Sequence, residues 1–132
     1  MSGHSNIEAE RAIIAGLFVD PHVIPTVSIQ LKPEMFYRVG NQRVFEAMIN
    51  IYGVGGNITF LSVIDWLERE DKMTDLPSRE DIVHDLKQMC DGLPSSYGIE
   101  KWSDIVFDCY ARRELAWVGK QLNDLSKDKT FA

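Results

Sequence analysis

The stretch YGIEKWSDIVFDCYARRELAWVGKQLNDL, residues 97–125, decides the fold of this chain, because it predicts one long helix. Its apolar residues form two stripes, each with the 3-4-3 spacing of a helix face. The first stripe comprises Ile99, Trp102, Val106 and Cys109, and the second stripe comprises Leu115, Val118, Leu122 and Leu125. A step of six residues joins them, and at about 100° per residue this turns the second stripe roughly 120° away from the first. The helix therefore changes its apolar face midway, at Arg112-Arg113-Glu114.

The two stripes differ in what can cover them. The first can pack on the preceding helices, whereas only a short, mostly polar tail follows the second. Because an amphipathic helix is stabilised mainly by packing its apolar face, we expect the second stripe to meet another helix, from a second copy or from sequence outside this chain. Folding back onto the same domain, or fraying, is the alternative. Coiled-coil pairing is plausible, but two heptads are too few to establish it.

Three tryptophans are also candidates for the core or for an interface, since aromatic side chains supply large buried areas in both. Trp102 is predicted to be core. Trp66 and Trp117 lie off the main stripes and are candidate interface anchors, with burial in the core slightly favoured for each. The candidate protein-interaction residues are Leu115, Trp117, Val118, Leu122 and Leu125.

Five shorter helices are predicted before the long one, from apolar periodicity and capping residues. They run from Ser5 or Asn6 to Asp20-Pro21, from His22 to Leu31, from Asn41 to Tyr52, from Phe60 to about Glu70, and from Ser78 to the break at residues 92–96. Asn41 and Thr59 are predicted helix caps. A short helical turn at residues 33–37 should deliver Phe36 and Tyr37 to the core. In the fourth helix, Leu61 is expected to share the apolar side with Ile64 and Leu67.

No convincing strand pattern occurs, so the fold class is all-α, a compact bundle of about six helices. Residues 1–5 are predicted to be disordered or a remnant of expression, residues 6–96 a globular helical head (the head), 97–127 the long helix and 128–132 a tail.

Composition and charge argue against several classes of function. The net charge of −6 and the lack of a Lys/Arg run argue against autonomous tight binding of nucleic acid. No apolar stretch approaches the roughly 20 residues of a membrane span, and no signal peptide is visible. Cys90 and Cys109 form no CxxC pair and indicate reduced thiols in a cytoplasmic protein, although the sequence does not exclude a disulfide.

Motif tests predict no catalytic, metal or cofactor residue. Gly119-Lys120 fails as a phosphate-binding loop, because Glu114 and Gln121 stand where glycine and Ser/Thr are required. The glycines at 53–56 indicate a turn. His84 is expected on the surface. Solvated surface is also predicted for the paired carboxylates, which are Glu8 with Glu10, Glu68 with Glu70 and Asp71, and Glu80 with Asp81.

Ordered short motifs from about residue 7 to 125 resemble the N-terminal domain of DnaB-type replicative helicases. The first helix opens with Glu8-Ala9-Glu10-Arg11-Ala12-Ile13, similar to the family's EAE-x-A-V/I, and Leu17 with Asp20-Pro21 resembles its LLLDP. Leu31-x-Pro33-Glu34-x-Phe36-Tyr37 is similar to the family's L-x-PEDFY. Arg43-x-Phe45-x-Ala47-Met48 is similar to HR-x-IF-x-AI, and Gly56-Asn57-Ile58-Thr59 is similar to G-x-PID. Pro94-Ser95-Ser96, Trp102, Ile105-Val106 and Arg112-Arg113 resemble PSAANI…YA-x-IV…R.

The resemblance implies a collar domain on a hexameric helicase ring, which pairs with copies of itself and helps bind primase and helicase loaders. It implies that the long helix is the first arm of a helical hairpin. It also implies that DNA is met only through the full ring, and that ATP and Mg²⁺ belong to a motor domain absent from this chain.

Two other functions stay open at this point. One is a free-standing, phage-type helical adaptor that modulates a replicative helicase, which a reading frame continuing into a motor would exclude. The other is a small enzyme with an unrecognised site, which only a pocket of carboxylates with strongly shifted pKa values would support.

Overall fold

The computed structural model describes residues 5–92 and 96–127. Within those ranges the chain forms six α-helices, two single 3₁₀ turns and no strand, which confirms the all-α prediction. The helices are α1 (Ile7–Val19), α2 (Ile24–Gln30), α3 (Val39–Gly53), α4 (Phe60–Arg69), α5 (Arg79–Gly92) and α6 (Ile99–Ser126). The 3₁₀ turns are Pro21–Val23 and Pro33–Met35. Residues 1–4 of the predicted disordered or remnant segment 1–5, part of the predicted break (93–95) and the predicted tail (128–132) lie outside the described residues.

Capping residues set most of the helix boundaries. Asn6 caps α1, because its side-chain oxygen accepts a hydrogen bond from the backbone N–H of Ala9 at 2.9 Å. Thr59 and Ser62 form a reciprocal capping box at α4, so that each side chain satisfies a backbone N–H of the other. The predicted cap at Asn41 is wrong, since α3 already begins at Val39 and Asn41 lies inside its first turn.

The core lies where α1 packs against α3, α5 and α6. Two aromatic pairs anchor it: the Phe36 and Phe45 ring centroids are 5.0 Å apart, and Phe18 meets Phe60 edge to face at 4.8 Å. The predicted apolar side of α4 is shifted by one residue, because Phe60 packs against the core while Leu61 is 59% exposed. Trp66 packs partly buried against the core, as favoured from the sequence.

Helix α6 packs on the head only through its first half. Ile99, Val106 and Cys109 of the first stripe are buried, and Trp102 is half-buried against the core, as predicted. From Glu114 to Lys127 every residue is exposed. The helix therefore extends beyond the head by more than three turns.

No single helix among the described residues is long and apolar enough to cross a membrane. Helix α1 and the segment Pro21–Gln30, which are bent by 115°, pass together on length and composition alone. Buried core helices pass the same test, and seven residues of α1 are buried.

Both cysteines are free thiols, and burial raises the pKa of each. A raised pKa leaves less thiolate at neutral pH, and the thiolate is the reactive form. We expect Cys90 and Cys109 to react with Ellman's reagent about tenfold more slowly than a cysteine peptide. The rate should increase as the pH is raised, and both thiols should react at the peptide's rate in urea. Fast labelling of the folded chain at neutral pH would contradict this expectation.

Candidate protein-interaction site on the last helix

The second stripe is an uncovered apolar face on the half of α6 that leaves the head. Its exposed fractions are 72% for Leu115, 45% for Val118, 62% for Leu122 and 46% for Leu125. An exposed leucine alone is unremarkable, but four aligned apolar side chains on one helix form a contiguous patch. The structure thus brings these four candidate residues together, on a face that the described head does not cover.

Trp117, the fifth candidate, lies on a different face. It follows Val106 by eleven residues, which at about 100° per residue returns it to within roughly 20° of the head-facing side. Its side chain is 59% exposed, so the favoured prediction of core burial is wrong. Instead it lines a crevice between α6 and the head, together with Tyr37, Tyr110 and Arg113. Trp117 and the second stripe are therefore two separate surfaces.

Arg113 fixes the point at which α6 leaves the head. Its guanidinium donates a hydrogen bond to the backbone carbonyl of Met35 at 2.8 Å. The same group lies 5.4 Å from the ring centroid of Tyr37 and 5.7 Å from that of Tyr110, within the range of cation–π attraction. Tyr37 is 56% exposed, so the prediction that it enters the core is wrong, whereas Phe36 is fully buried. The Tyr37 ring serves this junction instead.

Tyr110 lies on α6 beside this junction, and the pKa of its hydroxyl group is raised. A hydrogen bond to the Glu114 side chain raises the pKa of Tyr110, with burial as a smaller cause. Tyr110 and Glu114 lie four positions apart on α6, beside the changeover between its two stripes.

Glu10 holds the backbone on which the Arg113 contact depends. The prediction of a solvated surface is wrong for this residue, since only 1% of it is exposed. Its carboxylate accepts hydrogen bonds from the backbone N–H of Tyr37 at 2.5 Å and of Arg38 at 3.4 Å, and from Asn41 Nδ2 at 2.9 Å. Buried carboxylates persist where such donors compensate them. A side chain of α1 thereby binds the N–H groups just before α3.

The other paired carboxylates are exposed, as predicted. Gly119 lies within α6, which confirms that the Gly119-Lys120 pair is not in a phosphate-binding loop. The glycines at 53–56 close α3, where Gly55 adopts φ +79° and the Gly56 N–H donates to Ile51 O at 2.9 Å. Among the described residues no group of three or more His, Cys, Asp or Glu side chains could hold a metal ion.

The described residues form an all-helical head from which a long helix with an uncovered apolar face extends. The chain belongs to the family of DnaB-like helicase N-terminal domains, whose family model matches residues 3–108. This confirms the resemblance drawn from the motifs. The matched region ends at Asp108 and leaves the second stripe outside it.

Individual relatives agree with the family. The chain is 31% identical over 117 residues to the replicative DNA helicase DnaB of Nostoc sp., a match that covers 89% of this chain and 13% of that protein. It is 28% identical over 110 residues to the corresponding protein of Geobacillus stearothermophilus, covering 83% of this chain and 23% of that one. The chain thus spans less than a quarter of the length of either relative.

Solved structures show the same fold. The N-terminal domain of DnaB helicase from Mycobacterium tuberculosis superimposes with a TM-score of 0.80 at 20% identity, covering 92% of this chain and 82% of that chain. The N-terminal domain of DnaB helicase from Helicobacter pylori, described with its interactions with primase, gives 0.74 at 19% identity, covering 92% and 91%.

Proposed function

We propose that this chain is the N-terminal collar domain of a replicative DNA helicase, which associates with copies of itself and docks primase or a helicase loader through the second stripe. The observation that carries the proposal is the exposure of Leu115, Val118, Leu122 and Leu125 on a helix that leaves the head. In this proposal α6 is the first arm of a helical hairpin, and the partner surface is another helix.

Energetics support a helical partner for this face. Fully covering one Leu or Val side chain stabilises by about 1.5–3 kcal/mol, so the second stripe offers a substantial free energy that the isolated chain does not use. Its 3-4-3 spacing suits packing of side chains between those of a facing helix. Charge repulsion does not oppose this association, because α6 is nearly neutral: Ile99–Ser126 contains five acidic and four basic residues.

Primase is the proposed partner because the Helicobacter pylori domain, which shares this fold, is described with its interactions with primase. ATP hydrolysis, with its Mg²⁺, and DNA unwinding would belong to a motor domain outside these 132 residues, in which no phosphate-binding loop motif occurs. DNA would be met only through the assembled ring, since the chain's net charge is −6. The domain would act in the cytoplasm.

Calorimetric titration of the chain with the primase of the same organism tests the docking. Val118→Glu places a carboxylate in the second stripe and should weaken binding about tenfold, because an apolar contact is lost and a charge is desolvated. Asn123→Glu adds the same charge on another face of the same turns and should leave the affinity unchanged. Equal affinities of the two variants would overturn docking through the second stripe.

A further inference from the structure

Arg113 is the last residue along α6 that the head partly covers. Cys109 is buried, Arg113 is half-buried, and every described residue beyond it is exposed. The Arg113 guanidinium donates a hydrogen bond to the Met35 carbonyl at 2.8 Å and lies 5.4 Å from the centroid of the Tyr37 ring. Both partners belong to the short segment that precedes α3. One side chain of α6 thus joins the start of its exposed half to one place on the head.

The segment that receives Arg113 is itself held firmly by the head. Phe36 is fully buried in the core, and its backbone carbonyl accepts a hydrogen bond from Gln42 Nε2 at 2.7 Å. The buried Glu10 carboxylate accepts the backbone N–H of Tyr37 at 2.5 Å. Because close packing and buried hydrogen bonds fix this segment, loss of the Arg113 contacts would free α6 and not the segment.

We infer that the Arg113 junction, which is the guanidinium with the Met35 carbonyl and the Tyr37 ring, sets the angle at which α6 leaves the head and so holds the second stripe in one direction. Position 123 lies about 15 Å beyond Arg113 along the helix, so a swing of about 20° at the junction moves it by roughly 5 Å. A surface held in its binding direction associates more tightly, because less freedom is lost on binding. This effect on association rests on the proposed function, whereas the effect on the angle does not.

The direction of α6 is measured by double electron–electron resonance between two nitroxide labels. One label is attached at Asn123 on α6, and the other on the head, at Lys87 of α5 or at Asn50 of α3. All three positions are exposed, and two head positions register swings in different directions. Ketone-bearing amino acids carry the labels, so that Cys90 and Cys109 stay unchanged. The full chain is measured at a concentration at which sedimentation shows the monomer.

We expect Arg113→Gln to broaden the distance distributions by roughly 5 Å. Arg112→Gln is the matched control and should leave them unchanged, because Arg112 is exposed and pairs with Asp108 of the same helix at 2.9 Å. On the head side, Tyr37→Leu removes the ring and should broaden the distributions, whereas Tyr37→Phe keeps the ring face and should not. Both tyrosine variants should keep the fold, since this side chain is 56% exposed.

Sedimentation velocity then compares self-association, for which Arg113→Gln should raise the dissociation constant about threefold with the second stripe intact. Equal distributions for Arg113→Gln and wild type, or equal broadening by Arg112→Gln, would overturn the inference and leave the proposed function standing. If Arg113→Gln broadens the distributions but neither it nor Val118→Glu/Leu122→Glu weakens association, the junction sets the angle and the proposed function is wrong.

Discussion

Replacing Glu10 with alanine is expected to lower the free energy of unfolding by about 3 kcal/mol, and the melting temperature by about 10 °C. The carboxylate is the hydrogen-bond acceptor for the Tyr37 N–H and for Asn41 Nδ2, both within 2.9 Å. Alanine would leave these donors without that partner in a site from which water is largely excluded, and each buried unsatisfied donor costs about 1–3 kcal/mol. Thermal unfolding followed by circular dichroism measures the effect.

The same helix turn supplies the control. Glu8 is another carboxylate in the first turn of α1, but it is exposed, so Glu8→Ala should change stability by less than about 0.5 kcal/mol. Glu10→Gln keeps one acceptor oxygen but turns an amide N–H₂ toward existing donors, and should fall between the two. If Glu10→Ala and Glu8→Ala melt alike, the buried hydrogen bonds do not stabilise the fold.

The burial of Glu10 and Asn41 shows where sequence reasoning stopped short. Residue type alone predicts a surface carboxylate for Glu10 and a helix cap for Asn41. Their spacing carried the missing signal, since each stands three, four and seven residues before members of an apolar stripe. The stripe members are Ile13, Ile14 and Leu17 after Glu10, and Val44, Phe45 and Met48 after Asn41. Two polar residues on apolar faces bury favourably only if they meet, and one sequence does not reveal that α1 and α3 bring them together.

The prediction for Leu61 in α4 is wrong because two apolar stripes compete there. Leu61 and Phe60 both have helical spacing with Ile64 and Leu67, so periodicity alone does not choose between them. The edge-to-face contact between Phe60 and Phe18 decides the outcome, and this contact joins residues 42 positions apart in the chain. Trp117 is a similar case, because the helical period predicts its direction but not the open crevice beside the head that leaves it 59% exposed.

Helix α6, by contrast, was predictable because its information is local. A six-residue step between two 3-4-3 stripes rotates the apolar face whatever the rest of the chain does. The sequence does not predict where along α6 the head ends. The structure shows this point at Arg113, which contacts Met35 and Tyr37. The burial of the first stripe and the exposure of the second both follow from that geometry.

The double variant Val118→Glu/Leu122→Glu is expected to raise the dissociation constant for self-association about a hundredfold. Each side chain would lose about 1.5 kcal/mol or more of apolar burial against the partner helix, and about 3 kcal/mol corresponds to a factor of roughly 100. Sedimentation velocity over a concentration series measures the shift. The monomer should keep its melting temperature in dilute solution, because both side chains are exposed and lie where the head gives no support.

Ala116→Glu/Asn123→Glu is the matched control for this experiment. It adds the same two negative charges to the same exposed turns of α6, at positions roughly 120–140° around the helix from the second stripe. This variant should associate like wild type, since a partner helix packed on the second stripe would not touch these residues. If both double variants lose association equally, charge repulsion rather than apolar packing governs the assembly. If neither does, the second stripe is not the surface on which copies of this domain meet.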